Sequence, residues 1–325
     1  MHMLSTETYG KLYIVGEYQV LSNKGTAIVY GTNKKMFFNI SNSASFFYET
    51  RNIKKSFHYN NNTIKGINNI LIEKSLKVVF MYLESLNIKI KPFTLTITSE
   101  LETPNNEKYG LGSSSALISG IIKVVLMKFL NDFDPLIVFK LSVLAQIQAN
   151  QLSSGGDLAA AIYGNYIFYQ RYNLKWVLKN YQNINIVNKK WPHLKIERIN
   201  TNLKFLAIWT KKSYQTPNIN NKFNKKEIKK AKKIVKNCYE NLENNNYELV
   251  YNNINQYQNW FENNIDKQLI TPEIKQIISI ANNNNLACKI SGAGGGDSLI
   301  VLNNNLRLDN FKNEINDQGY LILEI

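Results

Sequence analysis

The chain has 325 residues, 44% of them hydrophobic and 19% charged, which is the composition of a globular protein long enough for two domains. Its 39 basic and 24 acidic side chains leave a net charge of +15, which calls for an anionic partner without choosing among nucleic acid, acidic lipid and phosphorylated metabolites. Cys238 and Cys288 exclude a disulfide framework and a cysteine metal site, and no apolar run reaches the roughly 20 residues of a membrane span.

The opening "MHMLSTETYG" lacks the basic flank and apolar core of a signal peptide, so a cytoplasmic protein is expected. "YGKLYIVGEYQVL" alternates and turns at Gly16, and "TAIVYGTNKKMFFNIS" continues in β-forming residues, so the first fifty residues are expected as an antiparallel meander. An amphipathic helical pattern follows over 66–88 and a strand over 91–100. Beyond a glycine loop come a helix over 114–130, a second from Asp134-Pro135 to about residue 150, a short small-residue helix after Ser-Gly-Gly-Asp, and a strand over 165–172. Residues 173–202, rich in Asn, Lys and Trp, hold the domain boundary, set at 185/186. The second half reads as a strand over 203–210, helices over 222–243, 246–265 and 271–284, a strand, glycine turn and strand, and a closing helix and strand. The lysine-rich stretch 221–240 carries Phe223, Ile228, Ala231, Ile234, Val235 and Cys238 on one face, the pattern of a solvated lysine face over a packed stripe.

Two glycine-rich stretches carry the chemistry. In "GLGSSSA", Gly110 and Gly112 let the backbone approach a ligand, and the helix that follows points unpaired N–H groups at it. Phosphate fits such a cradle: Ser113 to Ser115 add hydroxyl donors, one of which suits Mg²⁺. An ordinary helix start with a serine cap has the same pattern, and the spacing is neither a Walker A loop nor G-x-G-x-x-G. The second stretch, "SGAGGGDSL", puts four glycines within 292–296 ahead of Asp297, more conformational entropy than a plain hairpin turn needs. Phosphoryl transfer also needs a cation and a group that places the acceptor, and Lys11 after Gly10 and Asp157 after Gly155-Gly156 are the candidates.

Taken together, "YGKLYIVGEYQVL", "KYGLGSSSAL" and "KISGAGGGDSLIVL" resemble, in order and over residues 9–302, the three motifs of the GHMP kinases. Tyr9 stands where the first motif usually has proline. The finer residues resemble the bacterial-type phosphomevalonate kinase branch: Glu17-Tyr18 where mevalonate kinases carry Gly-Glu-His, Lys108-Tyr109 before the loop, the segment "SSGGDLAAAIYG", and Gln146 where mevalonate kinase has a metal-binding glutamate. The resemblance implies a two-domain α/β (α+β) fold, with an N-terminal ribosomal-protein-S5-like lobe over 1–185 and a ferredoxin-like lobe over 186–325. It implies ATP and Mg²⁺ as cofactors and phosphomevalonate as acceptor, with neither nucleic acid nor membrane as partner, in a monomer or homodimer. Lys11 and Asp157 are then catalytic. Lys108, Gly110, Leu111, Gly112, Ser113, Ser114 and Ser115 bind ATP, with Ser114 on the metal. Tyr18, Ser154, Gly155, Ser213, Ser291, Gly292, Ala293, Gly294 and Asp297 meet the acceptor. An alcohol-phosphorylating mevalonate kinase, a non-catalytic metabolite-binding protein of the same fold and a basic nucleic-acid-binding module remain as alternatives.

Overall fold

The computed structural model describes residues 3–51, 53–212, 224–296, 298–302 and 308–325. The first lobe runs β1 (Leu4–Val15), β2 (Thr26–Asn42), β3 (Phe46–Thr50), β4 (Ile53–Asn60), β5 (Thr63–Lys65), α1 (Ile70–Ser85), β6 (Phe93–Ser99), α2 (Ser113–Phe129), α3 (Pro135–Gln148), α4 (Gly156–Tyr163), β7 (Asn165–Gln170), α5 (Leu174–Asn180) and β8 (Lys195–Arg198). Local chemistry sets the helix starts. Asn69 accepts from the amides of Leu71 and Ile72 to cap α1, and Asp134 caps α3 ahead of a proline in its first turn.

The long strand β2 organises this lobe. One edge pairs antiparallel with β1, and the other takes β7 along its first part and β6 along its last. β3 lies on the far side of β6 and runs parallel to it, so the expected meander holds for β1 and β2 but not for β3. The hairpin of β4 and β5, which the sequence reading left out, extends the sheet beyond β3. Helices α2 and α4 lie on β1 and β2, with α1 and α3 packed behind them. The contact is close where α2 crosses β2: a Cβ added to Gly120 would fall 1.9 Å from the Phe38 ring. β1 is buried without interruption from Leu12 to Val15, as a strand covered on both faces must be.

The second lobe contains β9 (Phe205–Trp209), α6 (Lys225–Glu243), α7 (Tyr247–Asn264), α8 (Pro272–Asn283), β10 (Ala287–Ser291), β11 (Ser298–Leu302), α9 (Asp309–Asp317) and β12 (Leu321–Leu323). Its antiparallel sheet has the order β10-β11-β9-β12, with α7 and α8 packed on β10 and α9 on β12. Strand, helices, two strands, helix, strand, with the first and third strands central, is the ferredoxin-like arrangement. β8, which lies past residue 185, is hydrogen-bonded to β7 in the first sheet, so the chain passes between sheets after Arg198. Ala231, Val235, Cys238 and Leu242 form the buried stripe of α6, while Lys225, Lys226, Lys229, Lys230, Lys232, Lys233 and Lys236 face solvent.

Candidate active site

One edge of β1 pairs with β2, and the other receives both glycine loops. The amide of Lys11 donates to Leu111 O at 2.8 Å, and the amide of Tyr13 donates to Ser291 Oγ at 2.7 Å. Residues two apart point their N–H groups to the same side at a rise of about 3.4 Å each, so the two loops dock side by side, about 7 Å apart. Ser298 Oγ adds a further tie, donating to Tyr109 O at 3.0 Å across the lobes. The Lys11 side chain lies between the loops. Its Nζ donates to Gly110 O at 3.3 Å, its Cγ would sit 2.7 Å from a Cβ on Gly112, and its Nζ would sit 3.7 Å from a Cβ on Gly292.

The first loop is built as an open cradle. Gly110 and Gly112 hold φ of 75° and 76°, a region in which a side chain is strained, and Gly112 caps α2 with no side chain of its own. Among the described residues the amides and hydroxyls of Ser113 and Ser114 find no protein partner, and α2 directs its positive N-terminal end at them. Leu111 is buried beneath the loop, and Lys108 is exposed on its approach. No group of three His, Cys, Asp or Glu side chains able to hold a metal occurs among the described residues. The free Ser114 hydroxyl fits a magnesium ion held chiefly by phosphate oxygens and water, the usual manner of that ion.

Ser115 departs from its expected place among the ATP ligands. Its amide bonds Gly112 O, and its hydroxyl is buried and donates to Asp157 Oδ2 at 2.5 Å. Ser153 Oγ approaches Asp157 Oδ1 at 2.8 Å. Gln146 ties these hydroxyls together, donating through Nε2 to Ser115 Oγ at 3.3 Å and receiving the Ser153 hydroxyl at Oε1, 3.0 Å away. An amide can donate and accept at once, which a carboxylate in its place cannot. The two residues expected to be catalytic, Lys11 and Asp157, form no ion pair with each other. No carboxylate among the described residues lies within 4.0 Å of the Lys11 amine, because the α2 start brings Ser115 to Asp157 first.

Tyr13 follows Lys11 by two residues and so shares its face of β1; the alternation alone was enough to flag it. Its hydroxyl meets Ser154 Oγ at 2.7 Å and would lie 2.5 Å from a Cβ on Gly156. Burial first, and then the Asp157 charge, raise its pKa, so the phenol stays protonated. Gly155, with φ of 95°, is pressed against the Tyr169 hydroxyl, which bonds Ser154 O at 2.9 Å. Ser291 is buried on β1 as described, the Tyr18 hydroxyl donates to Ala293 O, and Gly294 packs on Leu269. Tyr18 itself holds φ of 60°, rare for an aromatic residue. The expected residues Ser213 and Asp297 lie outside the described residues. A cavity of about 800 Å³, which the sequence did not reveal, opens along the segment leading into the first loop; Asn68, Asn69, Ile72, Ser99, Thr103 and Pro104 are among its walls.

Residues 69–165 match the family described as GHMP kinases N terminal domain, and residues 238–321 match GHMP kinases C terminal. A phosphomevalonate kinase of Streptomyces sp. (strain CL190) is 24% identical over 232 residues, which span 66% of this chain and 62% of that protein's length. The structure of Streptococcus pneumoniae phosphomevalonate kinase in complex with phosphomevalonate and AMPPNP superposes with a TM-score of 0.89 at 24% identity, over 98% of both chains. Methanococcus jannaschii mevalonate kinase superposes with a TM-score of 0.70 at 20% identity, over 99% of this chain and 97% of that one. With both halves of the family pattern in order, and its two loops meeting at one lysine, the chain belongs to the GHMP kinases.

Proposed function

We propose that this protein transfers the γ-phosphoryl group of ATP to the phosphate of (R)-5-phosphomevalonate, giving (R)-5-diphosphomevalonate and ADP. The observation that carries the reading is the Lys11 amine, free of any carboxylate among the described residues and set between the two glycine loops. In the transfer, an oxygen of the acceptor phosphate forms the new bond to phosphorus as the bond to the ADP oxygen breaks, and ADP leaves with that electron pair. The acceptor, with a second pKa of about 6, is already largely ionised near neutrality, so little of the barrier lies in removing a proton. The larger obstacle is bringing two polyanions together, and Lys11 with the open amides at the start of α2 offsets that charge.

When bound, Mg²⁺ supplies further charge neutralisation on the phosphates, with Ser114 as its protein ligand. The 800 Å³ cavity beside the loop takes the nucleoside, a size that suits such a ligand. Asp157, held by Ser115 and Ser153, fixes the turn that carries Ser154 and Gly155 at the acceptor end. The net charge of +15 draws both anionic substrates toward the cleft. Gln146 and Tyr18 favour the phosphate acceptor over the alcohol, as does a backbone nearer to the phosphomevalonate kinase than to the mevalonate kinase.

An ADP-release assay with mevalonate, 5-phosphomevalonate, homoserine and galactose, each with ATP and Mg²⁺, tests this. Turnover is expected with 5-phosphomevalonate alone. Turnover with mevalonate instead moves the reading to the alcohol kinase, and no turnover with any acceptor rejects it.

A further inference from the structure

Glu17 and Lys289 are buried charges from different lobes to which the reaction above gives no part. Glu17 follows Gly16 just past β1, and Lys289 sits at the centre of β10; their side chains are 3% and 0% exposed. Lys289 Nζ donates to Glu17 Oε1 and to Ile290 O. The same Oε1 receives the amide of Gly292 at 3.3 Å. Tyr257 donates to Glu17 O at 2.6 Å, and Gln258 Oε1 receives the amide of Ile290 at 3.0 Å, so the pair stands inside a network that spans the lobes. Glu17 Oε2 is buried with no hydrogen-bond partner among the described residues. Burial lowers the Lys289 pKa, and the Glu17 charge opposes that fall.

Apolar residues of like volume often stabilise a core as well as a buried ion pair does, so stability does not account for this one. Its position does. Gly292 touches Glu17 through its amide and stands beside the Lys11 amine on its other side. Without Lys289 to balance it, Glu17 would be an unbalanced buried anion bonded to the glycine that stands beside the Lys11 amine, placed to draw that amine off the first loop. We infer that Glu17 and Lys289 are positioning residues forming a charge-balanced latch between the lobes, which holds Gly292 against Lys11 and keeps Glu17 from capturing the Lys11 amine. The inference rests on the proposed phosphoryl transfer for its effect on rate, but not for the latch itself.

Glu17→Gln, Lys289→Met and the double variant test it, each by hydrogen exchange of the 287–299 segment and by steady-state kinetics. Both single variants are expected to exchange faster in that segment. Lys289→Met is expected to lose about tenfold or more in kcat, with the KM for ATP changed less than about threefold, since a small misplacement at a reacting centre has effects of that size. The double variant is expected to recover both properties, because it removes the two charges together and keeps an acceptor for the Gly292 amide. Single variants that exchange and turn over like wild type overturn the latch, as does a double variant worse than the two singles combined. Should a single variant fail to fold, the double decides: a quiet segment with kcat near wild type supports the latch, and a loosened segment overturns it. A wild-type protein inactive on every acceptor rejects the reaction proposed above, while the exchange measurement still reads the latch.

Discussion

The two glycine loops look alike in sequence and are built for opposite purposes. The 110–115 loop runs into a helix and leaves the amides and hydroxyls of Ser113 and Ser114 without protein partners among the described residues. The 292–296 loop joins two strands and spends its backbone internally: the Gly292 amide on Glu17, the Ala293 carbonyl on Tyr18, and the Gly295 amide on Leu269 O at 2.6 Å. Side chains are excluded for different reasons as well. At Gly112 a Cβ would strike the flexible Lys11 side chain, whereas at Gly294 and Gly296 it would come within 2.9 and 2.8 Å of backbone oxygens. Glycine leaves the backbone open in the first loop and serves close packing in the second.

The largest effect is expected at the side chain that both loops share. Lys11→Ala should lower kcat about a thousandfold, the scale of a lost electrostatic stabiliser, with little change in Tm because the residue is only half-buried. Asp157→Asn, which keeps its place beside Ser115 and Ser153, should lose less; the opposite order of kcat values would remove Lys11 from the centre of the comparison. Next comes the contrast between loops. Gly294→Ala should destabilise the fold by about 1–3 kcal/mol, since nothing flexible can yield, whereas Gly112→Ala should show a smaller fall in denaturation midpoint and a loss of kcat of about tenfold or more from the displaced lysine. Equal stability losses with equal kcat in the two variants would erase the distinction drawn here.

A smaller effect is expected for Ser114→Ala, which should raise the Mg²⁺ concentration for half-maximal rate by about threefold to tenfold while leaving Tm unchanged. No shift in that titration would take Ser114 off the metal. The smallest lies at the start of α8, in a surface ion pair outside the Lys11 cluster. There Lys212, then the Glu273 amide and Thr271, hold the Glu273 carboxyl down at about 2, against an ordinary 4.5. A lowered folded-state pKa contributes stability above the ordinary value and loses it as pH falls toward the folded one. The Tm difference between wild type and Glu273→Gln should therefore be small but present at pH 7 and absent near pH 2, and a difference that grows on acidification would contradict it.

Much of this was legible because it is written locally. Alternation around Lys11, the glycine-serine run before an apolar helix, proline after Asp134 and the lysine face over Ala231, Val235 and Cys238 each follow from neighbours in the chain. β3 went to β6 rather than β2 because strand order depends on partners far along the chain, as the placement of 93–99 beside 36–42 shows. Asp157 was expected at the site from its place after Gly155-Gly156, but the hydroxyls that hold it were not foreseen. Ser153 and Gln146 lie within eleven residues of it, but Ser115 is 42 residues away, and only the packing of α2 against α3 and α4 brings that hydroxyl to the group.

By itself the sequence determined where the two glycine turns and the helix start that follows the first of them lie, since these are properties of consecutive residues. Only the tertiary structure decided that both segments dock on one edge of β1 at Lys11 and Tyr13, and that Glu17 is neutralised by Lys289 rather than by Lys11. The reason is that pairing of charges and of strand edges is settled by distance in space. Residues 17 and 289 share no local pattern that would announce their contact.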